Sequence, residues 1–290
     1  MALIIVKIEP RLARVVLIVA AIACVGAAWF FIKWNFANAV ASRLDPDRPE
    51  SKIVADWLTQ VAKGDPQTHF AAAVLYEKTF DADDLTRSLL EYETAAALSP
   101  YHYVMWLNLG KARSLNGDTE GAQAAFRRAL ELAPNYSIVQ WVYGNSLIRQ
   151  GQTDEGFALI AKAAASNPEY ARTAVLTALE MYEGNLAAAR RALGESEVTN
   201  SALSSVLAGQ HRYAEAVDAW SNLASGAKGG KYKTLGDALA TQLVAANKFL
   251  LAARVVADMQ DNDAYKPLAG AISNGGFENE VKLRNAGVFE

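Results

Sequence analysis

Three histidines and one cysteine are the residues of this chain best suited to hold a metal or supply a nucleophile, and none stands at the spacing such chemistry needs. His69, His102 and His211 have no carboxylate at ligand spacing, and no H-E-x-x-H, G-x-S-x-G or G-x-G-x-x-G string occurs. All three are read as surface or packing residues. Cys24 stands alone, so neither an intrachain disulfide nor a cysteine-based zinc site can form. The stretch GAKGGKY at residues 226–232 resembles a phosphate-binding loop only in outline. Ser225 replaces the first glycine and Tyr232 the hydroxyl that would hold magnesium, which predicts a solvated loop between helices. A net charge of -3 offers no basic stripe for a phosphate backbone, so nucleic acid is not an expected partner. No catalytic residue, metal or cofactor is assigned, and the expected role is binding rather than catalysis.

The elements that would position a binding surface fall into two kinds. Residues 15–32 (VVLIVAAIACVGAAWFFI) carry no charge, and as a helix they span roughly 27 Å, close to the thickness of a bilayer's hydrocarbon core. Residues 1–14 form a basic flank with Lys7, Arg11 and Arg14, and Trp29, Phe30, Phe31, Trp34 and Phe36 gather at the exit beside Lys33. That is the pattern of a single-pass anchor with an interfacial aromatic belt. Two other readings stay open: a cleaved signal peptide using Ala37-Asn38-Ala39, and a lipid-attachment box at Ala21-Ile22-Ala23-Cys24. The basic flank favours a cytoplasmic N-terminus with the body outside, in a bacterial inner membrane. Residues 33–50, with Pro46 and Pro49, are expected to be a linker.

The second kind is a repeat. Pro66, Pro100, Pro134 and Pro168 are spaced by 34 residues, where proline makes up only about 5% of average sequence. Within residues 103–136 the same register carries Trp106, Leu109, Gly110, Gly117, Ala122, Phe126 and Ala129. This pattern resembles the tetratricopeptide repeat family, with one departure at Arg113, where the family usually has an aromatic. One period later Tyr143, Gly144, Gly151, Gly156 and Ala163 hold the register over 137–170. One period earlier Leu75, Tyr76, Tyr92 and Ala95 hold it over 69–102. Residues 51–62 read as a lone second helix, and weaker hairpins are expected around 201–223 and 235–259 within an irregular region, 171–272. The fold class implied is all-α, a right-handed superhelical α-solenoid of helical hairpins over 51–272, preceded by one transmembrane helix.

The resemblance implies a scaffold or adaptor that binds protein partners in a groove. Its groove positions fall here on Leu107, Lys111, Leu115, Trp141, Asn145 and Arg149. The family's carboxylate clamp is not expected, because Ala73, Leu107 and Trp141 stand where it needs lysine. Residues 273–290 leave the helical pattern. Asn274 to Glu278 (NGGFE) is similar to the opening of carbohydrate-binding β modules, which raises carbohydrate as a second partner class and envelope polysaccharide assembly or export as a second role. A constitutive subunit of a large membrane complex is a third.

Overall fold

The computed structural model describes residues 10–45, 47–48, 50–79 and 82–259. The 273–290 tail, with its carbohydrate-module resemblance, the end of the 171–272 region and most of the basic flank lie outside the described residues. All described elements are helices, and the chain divides into two compact units at Pro134/Asn135.

In the first unit, α1 (Pro10–Ala41), α2 (Glu50–Val61), α3 (Pro66–Thr79), α4 (Ala82–Leu98), α5 (Tyr103–Leu115) and α6 (Thr119–Leu132) pack in chain order. The helix pairs α3/α4 and α5/α6 are the hairpins expected from the repeat register. Small residues let them approach: Ala122, Ala125 and Ala129 of α6 are fully buried, and Gly110 of α5 leaves room for the ring of Phe126. Asp118 caps α6 by accepting from the Gly121 amide at 2.9 Å, satisfying one of the amides a helix start leaves open. Arg113, the departure from the family pattern, joins three helices. Its guanidinium donates to Glu93 of α4 at 2.9 Å and to the Gly121 carbonyl of α6 at 3.3 Å.

The expected linker at 33–50 is corrected in its first half. Nothing between Lys33 and Ala41 breaks a helix, and α1 runs on to Ala41. Its last turns present Ala37 and Ala41 to Leu58 and Ala62 of the α2 region, with Trp34 and Val40 alongside. Thus α2 is not a lone second helix, because the end of α1 is its partner. Earlier in α1, residues 15–32 are exposed throughout. It is the one described helix long and apolar enough to cross a membrane.

The second unit holds α7 (Ser137–Arg149), α8 (Thr153–Ser166), α9 (Glu169–Met181), α10 (Leu186–Leu193), α11 (Glu197–Gly209), α12 (Tyr213–Ser221), α13 (Ser225–Lys228), α14 (Lys233–Ala245) and α15 (Phe249–Met259). Its core runs through Phe157, Ile160, Leu203, Leu207, Trp220, Leu239 and Leu243. Helix α10 has 8 residues where α6 and α8 have 14, and Gly194 then turns the chain at φ 71°. That shortened hairpin is where the proline ladder loses step. The pairs α11/α12 and α14/α15 match the hairpins expected at 201–223 and 235–259. The loop expected to be solvated at 226–232 is corrected in its first part: α13 runs into it as far as Lys228, which is buried, donating to Asp258 at 3.1 Å and to the Ser221 carbonyl at 3.2 Å. An ammonium that finds both a carboxylate and a carbonyl need not stay in water.

Candidate partner-binding surfaces

Each hairpin buries one side of its first helix and leaves one row of it open. On α5 the buried residues are Met105, Leu107, Leu109, Gly110 and Ala112. The row Val104, Asn108, Lys111 and Leu115 stays partly or wholly accessible, at spacings that share a helix face. Asn108 ties this row to its own helix by donating to the Val104 carbonyl at 2.9 Å and accepting from Lys111 Nζ at 3.4 Å. On α7 the accessible row is Ile138, Val142, Asn145 and Arg149, the same four positions of the repeat one period on. Asn145 donates to the Trp141 carbonyl at 2.8 Å, and Arg149 is exposed in the last turn.

Four of the six sequence-assigned groove residues, Lys111, Leu115, Asn145 and Arg149, therefore lie on these rows. The other two share the fifth repeat position, and there packing dominates. Leu107 is only 4% exposed. Trp141 is half-buried, its ring stacked on Tyr170 of α9 at 4.7 Å and 13° between planes. Parallel stacking of this kind adds to area burial, so the Trp141 ring is already engaged within its own unit. Val104, Asn108, Ile138 and Val142 were not singled out from sequence. Their signal was available as the step of three or four residues back from Lys111 and Asn145. In the second unit α9 adds Arg172, Leu176 and Glu180 as a further exposed row. Apolar residues flanked by an amide and single charges suit a polypeptide, which offers both side chains and backbone amides. Among the described residues no group of three or more His, Cys, Asp or Glu side chains is placed to hold a metal.

Away from these rows, His69 is a buried packing residue whose partner local spacing did not show. It has a carboxylate after all: Nδ1 meets Glu91 of α4 at 2.5 Å, and Nε2 meets the Lys63 carbonyl at 3.1 Å. Glu91 is 22 residues along the chain, so no local spacing reveals it. Burial works against the charged imidazolium, but the hydrogen bond and charge of Glu91, aided by Lys63 and Asp65, hold its pKa above 6.5. A histidine raised in this way contributes its full stability below pH 6.5 and loses it as pH climbs through the higher folded-state value. Thermal melting across that range should show a falling transition temperature, and His69→Gln should flatten the slope. A slope unchanged by the substitution would place its origin elsewhere.

The α5/α6 hairpin coincides with a match to a known repeat. Residues 105–136 match the model of the tetratricopeptide repeat. Among curated proteins, the BBSome complex member bbs-4 of Caenorhabditis elegans is 31% identical over 137 residues, which is 47% of this chain and 27% of that protein. The chain thus spans about a quarter of that relative's length. Solved structures with similar helix arrangements include pilF of Pseudomonas aeruginosa, at 14% identity over 71% of this chain and 93% of that chain, with a TM-score of 0.47. Another is YrrB, described as a TPR protein with an unusual peptide-binding site, at 16% identity over 58% of this chain and 88% of that chain, with a TM-score of 0.43. MamA from Desulfovibrio magneticus RS-1 has 15% identity over 55% of this chain and 89% of that chain, with a TM-score of 0.45.

Proposed function

We propose that this chain, a tetratricopeptide-repeat protein, is a scaffold fixed to a membrane by α1 that holds protein partners on the open rows of its repeat helices. The observation that carries this reading is the recurrence of an open row at the same four repeat positions of α5 and α7, beside a side buried at Met105, Leu107, Leu109, Gly110 and Ala112 in α5 and at Val139, Tyr143, Gly144, Leu147 and Ile148 in α7. Each row, ending in Leu115 on α5 and in Arg149 on α7, offers apolar and polar side chains suited to a segment of another polypeptide. The relative in Caenorhabditis elegans is named as a member of a complex, and assembly of a complex is the role extended here to these repeats. Anchoring is supported by the wholly exposed apolar face of residues 15–32. Arg11 and Arg14 ahead of that run favour a cytoplasmic N-terminus and a body on the far side.

The test separates binding from folding. Partners are first captured from mild detergent with the full chain as bait. Asn145→Ala combined with Arg149→Ala should then weaken capture markedly, while stability changes by less than about 0.5 kcal/mol, as for ordinary surface substitutions. Undiminished capture by the double variant would remove α7 as the binding row. Unfolding of the variant would make both side chains structural.

A further inference from the structure

Where α1 leaves its exposed apolar run, the repeat body begins with no gap. Phe36 of α1 is 53% exposed and meets Trp57 of α2 edge-on, with ring centroids 6.4 Å apart. Trp57 is 50% exposed and Ile53, one turn before it on the same face, is 72% exposed. The two helices run antiparallel. Gly64, just past the end of α2, lies against Trp34, and Thr68 at the start of α3 meets Asn38 at 3.3 Å. The C-terminal end of α2 and the α2–α3 turn therefore point back toward the apolar run of α1. Lys33 and the exposed Lys63 stand at the same level as Trp34 and Gly64.

From this arrangement we infer that the first hairpin of the body is itself seated in the bilayer surface, with Trp57 and the Lys63 turn in the headgroup layer. This rests on the anchoring reading above. The distances agree: Phe36 is four residues beyond Ile32, roughly 6 Å of helix rise, and the interfacial layer outside the hydrocarbon core is roughly 5–8 Å thick on each side. Trp57, beside Phe36, falls within that layer, and Ile53, one further turn out at roughly 11 Å, falls outside it. An indole prefers this zone, where its ring is shielded and its N–H stays wet. Lysines there meet lipid phosphates. Lipid is favoured over a second copy of the chain because the patch is continuous with the face of α1 that the bilayer would cover.

Spin-label depth measurement tests this on the full chain, in a Cys24→Ala background, reconstituted into phosphatidylcholine–phosphatidylglycerol vesicles. Single labels are placed by Trp57→Cys, Lys63→Cys, Ile53→Cys and, as a control at the opposite end of the helices, Thr119→Cys. Labels at 57 and 63 should show a lower access to a water-soluble nickel chelate, and a higher ratio of oxygen to nickel collisions, than the label at 119. Positions 53 and 119, both outside the layer, should be fully accessible to nickel. Equal nickel access at 57, 63 and 119, with the chain still resistant to carbonate extraction, overturns the docking and leaves the anchor standing. Extraction of the chain by carbonate overturns both. Spin–spin broadening at 57, in vesicles or in detergent, would show a second copy on this face and also overturn the inference. Each labelled variant is checked for helicity, and position 63, an exposed turn, keeps the test decisive if position 57 tolerates no cysteine.

Discussion

Alanine at Gly144 is expected to lower the stability of the second unit by about 2 kcal/mol, although alanine is the better helix former by about 1 kcal/mol. The reason is where the new carbon would land. A Cβ at Gly144 would lie 2.8 Å from the Gly156 carbonyl oxygen and 2.9 Å from Ile160, and a Cβ at Gly156 would lie 2.8 Å from the Gly144 carbonyl oxygen and 2.6 Å from Ile148. Backbone faces backbone here, so α7 and α8 must separate rather than a side chain turn aside. Gly110→Ala meets the Phe126 ring first, at 2.5 Å, and a ring has more freedom to tilt. Denaturant melts of the two variants should therefore rank Gly144→Ala as the more harmful. Wild-type stability in Gly144→Ala would mean that α7 and α8 do not approach as described.

Asp258→Asn is expected to cost about 2 kcal/mol, and Lys228→Met much less. The Lys228 side chain is only 7% exposed and its ammonium has Asp258 as its anion, with the Trp220 ring 5.9 Å away. Removing the carboxylate charge leaves a buried cation with a neutral carbonyl, that of Ser221, in place of an anion. Removing the ammonium leaves a carboxylate that is 29% exposed and can turn to water, and methionine retains a long apolar side chain against Trp220. Partial exposure of Asp258 is why the expected cost lies below that of a fully enclosed pair. Equal losses in the two variants, measured by denaturant melts, would show that hydrogen bonding to the Ser221 carbonyl, rather than charge pairing, holds α13 in place.

The repeat was legible where its signals are local. Proline after each second helix and small residues where helices meet act within a few residues of themselves, so the hairpins of 69–170 could be placed from spacing alone. The later hairpins kept a signal that the proline ladder hid. Gly117 and Gly151 turn α5 into α6 and α7 into α8 at φ 79° and 81°, and Gly184, His211 and Asn247 take the same left-handed conformation between α9 and α10, α11 and α12, and α14 and α15. Reading a Gly, Asn or His between two helical runs as that turn would have tracked the repeats past the shortened α10. What could not be read were contacts made across the chain. Lys228 finds Asp258 30 residues away, and a run of Gly and Lys looks solvated until that partner is known. The fifth repeat position is similar. Leu107 and Trp141 carry suitable chemistry for a groove, but whether such a residue is open or packed depends on how its neighbours meet it. Prolines at 46 and 49 drew the linker boundary too early, because the seven residues between Lys33 and Ala41 contain nothing that stops a helix.

That unbroken passage from α1 into the packed turns at Ala37 and Ala41 also sets what a bound partner must give up. A body on a flexible tether samples many tilts, and a partner that needs one of them forfeits the rest as entropy when it binds. On the anchored reading, the tilt and height of the first unit would be set by the continuous backbone hydrogen bonds of α1, and a bend at the exit would break several of them at once. Partners held in the same bilayer would then meet the α5 row already aligned, so their encounter reduces to a search in two dimensions with one rotation left to match.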